Sequence, residues 1–244
     1  MSLEPLTDPN GGRHWPQMSA QEIAELNAQK RRRDDEVLRA RLEEHRLSRL
    51  RTELGERWAE RTFATFSRNA GNSAALDRAL AVVGSGFALG AGFVGAEGNG
   101  KTHLAAAIVH TAITSGKSAR FVTFQNFLRR LYAAEKAGNY RDVLWSYTGA
   151  DVLVLDDVGK EDQTPWDLPK KFAAVNDLYE TGRRLIVTAN MPLASLIAFY
   201  GAVGQQRADV DSTSGASLIA RIVEMVGGVD AFVSNTAPSQ RWSA

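Results

Sequence analysis

From about residue 61 onward, short apolar runs alternate with stretches of helical periodicity. The runs at 87–94, 119–124, 152–155, 185–189 and 231–233 are short and nearly continuous. Strands buried on both faces of a parallel sheet take this form. Between them, 101–115, 125–137, 140–148, 168–181, 192–200 and 215–226 carry helical spacing. The alternation predicts an α/β fold, a parallel five-stranded sheet flanked by helices. Gly90 and Gly92 weaken the first run as a strand. The polar stretch 201–216 reads as a surface loop.

The first 60 residues follow another pattern. Residues 1–18 are polar, contain Gly11 and Gly12, and read as a flexible tail. Ser19 and Glu22 are spaced as a capping box, with Met18 and Ile23 flanking them as a hydrophobic staple. Residues 30–57 then hold ten Lys or Arg and seven Asp or Glu. Leu38, Leu42, Leu47, Leu50, Leu54 and Trp58 supply a thin apolar stripe. Region 19–60 is therefore expected to form one long helix or two shorter ones with a narrow sticky face. A solvated helix would show the same pattern, but a partner-docking arm suits it better.

Charge narrows the choice of partner. The 244 residues carry a formal net charge of +1, which excludes holding nucleic acid by bulk charge alone. The Lys30–Arg33 run is followed at once by Asp34–Glu36, which can pair with it along a helix. The absence of cysteine excludes disulfides, thiol chemistry and zinc fingers. His14, His45, His103 and His110 have no metal-ligand spacing. No apolar run reaches bilayer length, and the polar start is unlike a signal peptide. A cytoplasmic protein without a membrane partner is expected.

The strongest chemical signal is Gly95, Ala96, Glu97, Gly98, Asn99, Gly100, Lys101 and Thr102, a full match to G-x-x-x-x-G-K-[ST] between a strand and a helix. The glycines let backbone N–H groups face phosphate oxygens, and the helix N-terminus adds positive potential. Lys101 reaches the terminal phosphates, and the Thr102 hydroxyl suits Mg²⁺. His103 falls in the first turn behind them. It is grouped with the nucleotide-binding set, although packing or capping explains it equally well.

The run 152–155 ends in Asp156 and Asp157, at the strand end where open parallel sheets bind ligands. Asp156 is the candidate Mg²⁺ acid, and Asp157 the group that orients or deprotonates the attacking water. Asn190, at the end of 185–189, is a candidate for holding that water or a γ-phosphate oxygen. Arg221 lies among Leu218, Ile219, Ile222, Val223 and Met225. It must reach solvent or meet an anion such as a neighbouring subunit's γ-phosphate. Arg241 is a further candidate nucleotide contact. Tyr140, Arg141, Trp145 and Tyr147 could stack on single-stranded bases, though core packing explains them better.

These motifs together resemble the DnaC/DnaI/IstB-like branch of AAA+ ATPases. The resemblance covers about 57–235. It is carried by Arg57-Trp58-Ala59-Glu60-Arg61-Thr62-Phe63-Ala64-Thr65-Phe66, by GNGKTHLAAAI at 98–108, and by VLVLDDVG at 152–159 with Trp166 after it. LIVTAN at 185–190, with Pro192 and Leu196, completes it. The resemblance implies an AAA+ domain over 61–244, ATP and Mg²⁺ as ligands, and Walker A at Gly95, Gly100, Lys101 and Thr102. It implies Walker B at Asp156 and Asp157, sensor 1 at Asn190, an arginine finger at Arg221 and sensor 2 at Arg241.

It further implies a homo-oligomeric ATPase acting on macromolecules. One version is a helicase loader that docks on a replicative hexameric helicase and touches single-stranded DNA. The other is an IstB-like helper that assembles on duplex DNA and directs a transposase. The near-neutral N-terminus favours the loader. A P-loop kinase for a small metabolite would need a lid rich in arginine, and 201–216 offers only Arg207.

Overall fold

The computed structural model describes residues 6–7, 13–14, 19–161, 167–204 and 213–239. The chain divides into two compact units, Met1–Leu47 and Ser48–Ala244. The division falls inside one helix, α1 (Ala20–Leu54), earlier than the border at residue 60 drawn from composition.

In the first unit, Leu6–Thr7 and Arg13–His14 pair antiparallel. The capping box forms as its spacing requires. The Ser19 N–H donates to Glu22 Oε2 at 2.7 Å, and the Glu22 N–H donates to Ser19 Oγ at 3.2 Å. Met18, the outer half of the expected staple, lies outside the described residues. Ile23, Leu26, Leu38, Leu42 and Leu47 are all exposed.

The stripe changes role in the second unit. Leu50 and Leu54 are 2% and 5% exposed and belong to the core. Arg49 donates to the Lys117 carbonyl at 3.1 Å, and Glu53 pairs with Arg120. Gly55, at φ 70°, ends α1, and the short α2 (Glu56–Ala59) follows.

Five strands form the sheet of this unit: β1 (Ala91–Val94), β2 (Ala119–Thr123), β3 (Val152–Val158), β4 (Ile186–Ala189) and β5 (Phe232–Ser234). Their order is β2-β3-β4-β1-β5, with every neighbouring pair parallel. Helices α3 (Ser73–Gly84) and α4 (Lys101–Thr114) share one core cluster with Leu50, Phe66 and Phe93. Helices α5 (Phe124–Ala137), α6 (Tyr140–Thr148), α7 (Leu168–Tyr179), α8 (Leu193–Gly204) and α9 (Thr213–Val226) contribute to the other, around Phe127, Leu155, Leu178 and Ile222. Two buried layers of side chains, one on each side of the sheet, account for the continuous apolar runs.

Three expectations need correction. The run 87–94 is not all strand. Helix α3, which the apolar periods did not reveal, ends with the Phe87 N–H bonded to the Val82 carbonyl and Phe87 at φ 69°. Only Ala91–Val94 pairs. Gly92 is needed there, because a Cβ would lie 2.2 Å from the Phe232 ring. The 201–216 segment is not all loop either. Helix α8 runs through Gly204 and α9 begins at Thr213. Strand β3 extends to Val158, past both acids, with a register shift against β4 between Leu155 and Val158.

Candidate functional site

Strand β4 lies between β1, which feeds the glycine loop, and β3, which carries the acids. The sheet order thus gathers three strand ends around the N-terminus of α4. Gly100 caps that helix in the left-handed region at φ 97°. A Cβ there would meet Phe66 at 2.8 Å. Only glycine satisfies both demands.

Lys101 is 3% exposed, and its Nζ donates to the Gly95 and Ala96 carbonyls at 2.9 and 2.6 Å and to Asn99 Oδ1 at 3.1 Å. Burial lowers its pKa to about 8, against the pull of Asp157, Asp156 and Glu97. Glu97 pairs with Lys160 at 2.8 Å. The buried Asn99 is clasped by Asn235, just past β5. Its amide donates to the Asn235 carbonyl, and Asn235 Nδ2 donates back to the Asn99 carbonyl at 2.7 Å. The Asn235 N–H reaches the Val94 carbonyl at 2.8 Å. A single asparagine thus ties the loop to the sheet edge.

Thr102 Oγ1 donates to Asp156 Oδ1 at 3.1 Å, and Thr188 Oγ1 donates to the same oxygen at 2.6 Å. Asp156 is 5% exposed. Burial raises its carboxyl to about 6, although Thr188 and Thr102 oppose the rise by hydrogen bonding to it. Asp157 has φ 57°. Its N–H donates to Thr188 Oγ1 at 2.9 Å. Its Oδ1 accepts from Asn190 Nδ2 at 2.7 Å, and its Oδ2 lies 3.4 Å from Lys160 Nζ. A hydroxyl and a carboxylate side by side are hard oxygen donors, the set that suits Mg²⁺ shared with phosphates.

Gly98, Asn99, Gly100, Lys101, Thr102, His103, Asp156, Asp157 and Asn190 line one cleft of about 430 Å³. Thr123, Arg57, Trp58 and Arg61 line it too. His103 is mainly structural. Its Nε2 lies 2.9 Å from the Thr62 carbonyl and 3.3 Å from Thr65 Oγ1, and its ring meets Phe66 edge-on at 5.2 Å. Burial lowers its pKa.

Not every candidate joins the cleft. Arg221 sits between α7 and α9. Its Nε donates to Asn176 Oδ1 at 2.8 Å, and its guanidinium lies 4.6 Å from the Phe172 ring and 5.5 Å from that of Tyr179. An amide and two rings thus satisfy a cation expected to need solvent or an anion. Arg241, Trp166 and Arg207 lie outside the described residues. The aromatic group divides: Tyr147 is core, Tyr140 bonds Asp177 at 2.6 Å, and Trp145 is 79% exposed. The sequence reading passed over Thr188 and Asn235. The polar position just after the last strand was a usable signal for Asn235.

A strand–glycine loop–helix, a buried lysine, and paired acids on the next strand but one define a P-loop ATPase of the AAA+ class. Comparison with known proteins agrees. The model of the IstB-like ATP binding protein family matches residues 90–211, half of the chain, and the chain belongs to that family. A protein of Mycobacterium tuberculosis, named as an ATP-binding protein in an insertion sequence, is 34% identical over 101 residues. The match spans 39% of this chain and 38% of that relative's length. The crystal structure of the DnaC helicase loader superposes with a TM-score of 0.58 at 24% identity, over 74% of this chain and 99% of that one. DnaA from Aquifex aeolicus with AMPPCP bound gives 0.53 at 22%, over 72% and 50%. No helix among the described residues is long and apolar enough to cross a membrane.

Proposed function

We propose that this chain is a helicase loader: a homo-oligomeric ATPase that docks on a replicative hexameric helicase and touches single-stranded DNA. The observation that carries the docking is α1. Ile23, Leu26, Leu38, Leu42 and Leu47 are exposed on a helix whose charges balance. Exposed apolar side chains of this kind gain by burial on a protein, and the small net charge of the helix does not hold phosphate by bulk charge.

In the cleft, the loop amides and Lys101 bind the phosphates of ATP. Thr102 and Asp156 would hold Mg²⁺, which when bound would offset the charge developing on the phosphates. Asp157 orients the attacking water and accepts its proton, and Asn190 fixes the carboxylate that does so. Arg221 acts in trans as an arginine finger, released from Asn176 when a second copy presents its nucleotide. Arg241 closes on nucleotide in its own subunit.

A second reading is a transposition helper that assembles on duplex DNA. The family match and the insertion-sequence relative favour it. Pull-down from host extract with the full chain and with residues 48–244 separates the two. Capture of a hexameric helicase by the full chain, lost on truncation with ATP binding intact, supports the loader. Capture of a transposase supports the helper, and equal helicase capture by the truncated chain refutes docking through α1.

A further inference from the structure

The cleft has a wall that the P-loop motif does not provide. Arg57, Trp58 and Arg61 come from the segment between α1 and α3, yet they line the same cleft as Lys101 and Asp156. The segment is fastened to the P-loop helix at several points. His103 holds the Thr62 carbonyl and Thr65 Oγ1, and Phe66 lies against the His103 ring and over Gly100. The Arg61 N–H is bonded to the Trp58 carbonyl at 3.0 Å. Arg61 therefore springs from a backbone held in place relative to the phosphate loop.

The two arginines differ in their engagements. The Arg57 guanidinium lies 5.0 Å from the centre of the Trp58 ring. Arg61 is exposed and has no ion pair within 4.0 Å among the described residues. It is near enough to His103 to disfavour protonation of that ring. The charge balance of the cleft leaves room for such a cation. Lys160 is engaged by Glu97 and Asp157, and Asp156 and Asp157 add negative charge. Lys101 and a dipositive ion on Thr102 and Asp156 together carry less charge than the four negative charges of a nucleoside triphosphate.

We propose that Arg61 is a second phosphate-binding cation, supplied by the same chain and contacting the polyphosphate of the bound nucleotide. The proposal rests on the reading of the cleft as a nucleotide site and adds a residue outside the P-loop to it. Because Arg61 lies seven residues beyond α1, nucleotide binding then bears directly on the segment that ends the docking helix.

Calorimetric titration of the full chain with MgATP and with ADP tests it, using wild type, Arg61→Gln, Arg61→Lys and Lys101→Ala. A charge-assisted contact at an exposed position predicts about tenfold weaker binding of both nucleotides to Arg61→Gln. The variant should also show a flatter salt dependence and an unchanged melting temperature. Arg61→Lys should recover most of the affinity. If Arg61→Gln binds within twofold of wild type while Lys101→Ala loses binding, the cleft reading stands and the Arg61 proposal falls. If wild type binds no nucleotide, or Lys101→Ala binds as wild type does, the cleft reading falls and takes the proposal with it.

Discussion

Thr188→Val tests how the two acids are held. Thr188 is fully buried, bonds Asp156 Oδ1 at 2.6 Å and receives the Asp157 N–H at 2.9 Å. Valine keeps the branched shape and deletes only the hydroxyl. A hydrogen bond to a charged group contributes about 1.5–3 kcal/mol, and a stranded buried N–H costs about 1–3 kcal/mol. The two losses share one atom and do not simply add, so about 3 kcal/mol is expected where Asp156 is ionised.

The pH dependence gives this prediction its direction. Burial raises the Asp156 carboxyl from 3.8 to about 6 in the folded protein. A carboxyl that holds its proton more tightly when folded costs stability as pH rises past its unfolded value. The cost levels off above the folded value, at about 3 kcal/mol here. Removing the Thr188 bond raises the folded value further, so the charge-dependent loss opens only above about pH 6. Urea unfolding of the nucleotide-free protein at pH 5 and pH 8 reads this. Thr188→Val should lose about 1–2 kcal/mol at pH 5, from the stranded N–H, and about 3 kcal/mol at pH 8. Equal losses at the two pH values would refute the argument that Thr188 stabilises the ionised acid.

The remaining predictions follow the same geometry. Lys101→Ala should abolish ATP binding. In wild type, affinity should fall as pH rises past about 8, where the buried lysine loses its proton; a flat calorimetric profile to pH 9.5 would contradict this. Asn235→Ala should raise the KM for ATP several-fold, because the Asn99 carbonyl loses its partner while Lys101 and the acids are untouched. An unchanged KM in steady-state ATPase assays would show that the clasp is dispensable. Asp157→Asn should bind ATP without hydrolysing it, and mixing it with Arg221→Ala should restore part of the turnover. A mixture that co-assembles yet stays inactive argues against Arg221 acting in trans.

How far the sequence discloses this site depends on whether a feature is local. The phosphate loop is local: Gly95 to Thr102 act together because they are consecutive, and the spacing alone identifies them. Asn235 is not local. It matters because β5 lies beside β1, and nothing in the sequence says which strands are neighbours. Thr188 reads as one polar residue in an apolar strand, and its role appears only through the register of β4 against β3. Helix α3 was hidden for another reason. Its apolar positions merge into the run at 87–94, and the positive φ values at Gly86 and Phe87 that separate the two leave no hydropathy signal.

The pair of acids makes the distinction sharper. Successive residues of a regular strand point to opposite faces. A period-two reading of β3 would therefore aim only one of Asp156 and Asp157 at the cleft, yet both line it. The backbone resolves the conflict. Asp157 adopts φ 57°, and β3 slips against β4 between Leu155 and Val158. Such an irregularity bends the strand and re-aims a side chain. The conformation is unfavourable for most residues but accessible to aspartate. The bonds from the Asp157 N–H to Thr188 and from Asn190 to the carboxylate hold it there. In the proposed mechanism, adjacent acids can divide into a metal-side acid and a water-side acid because the strand departs from regularity between them. The residue that stabilises that departure, Thr188, also bonds the first acid, so both acids are held by one hydroxyl on the intervening strand.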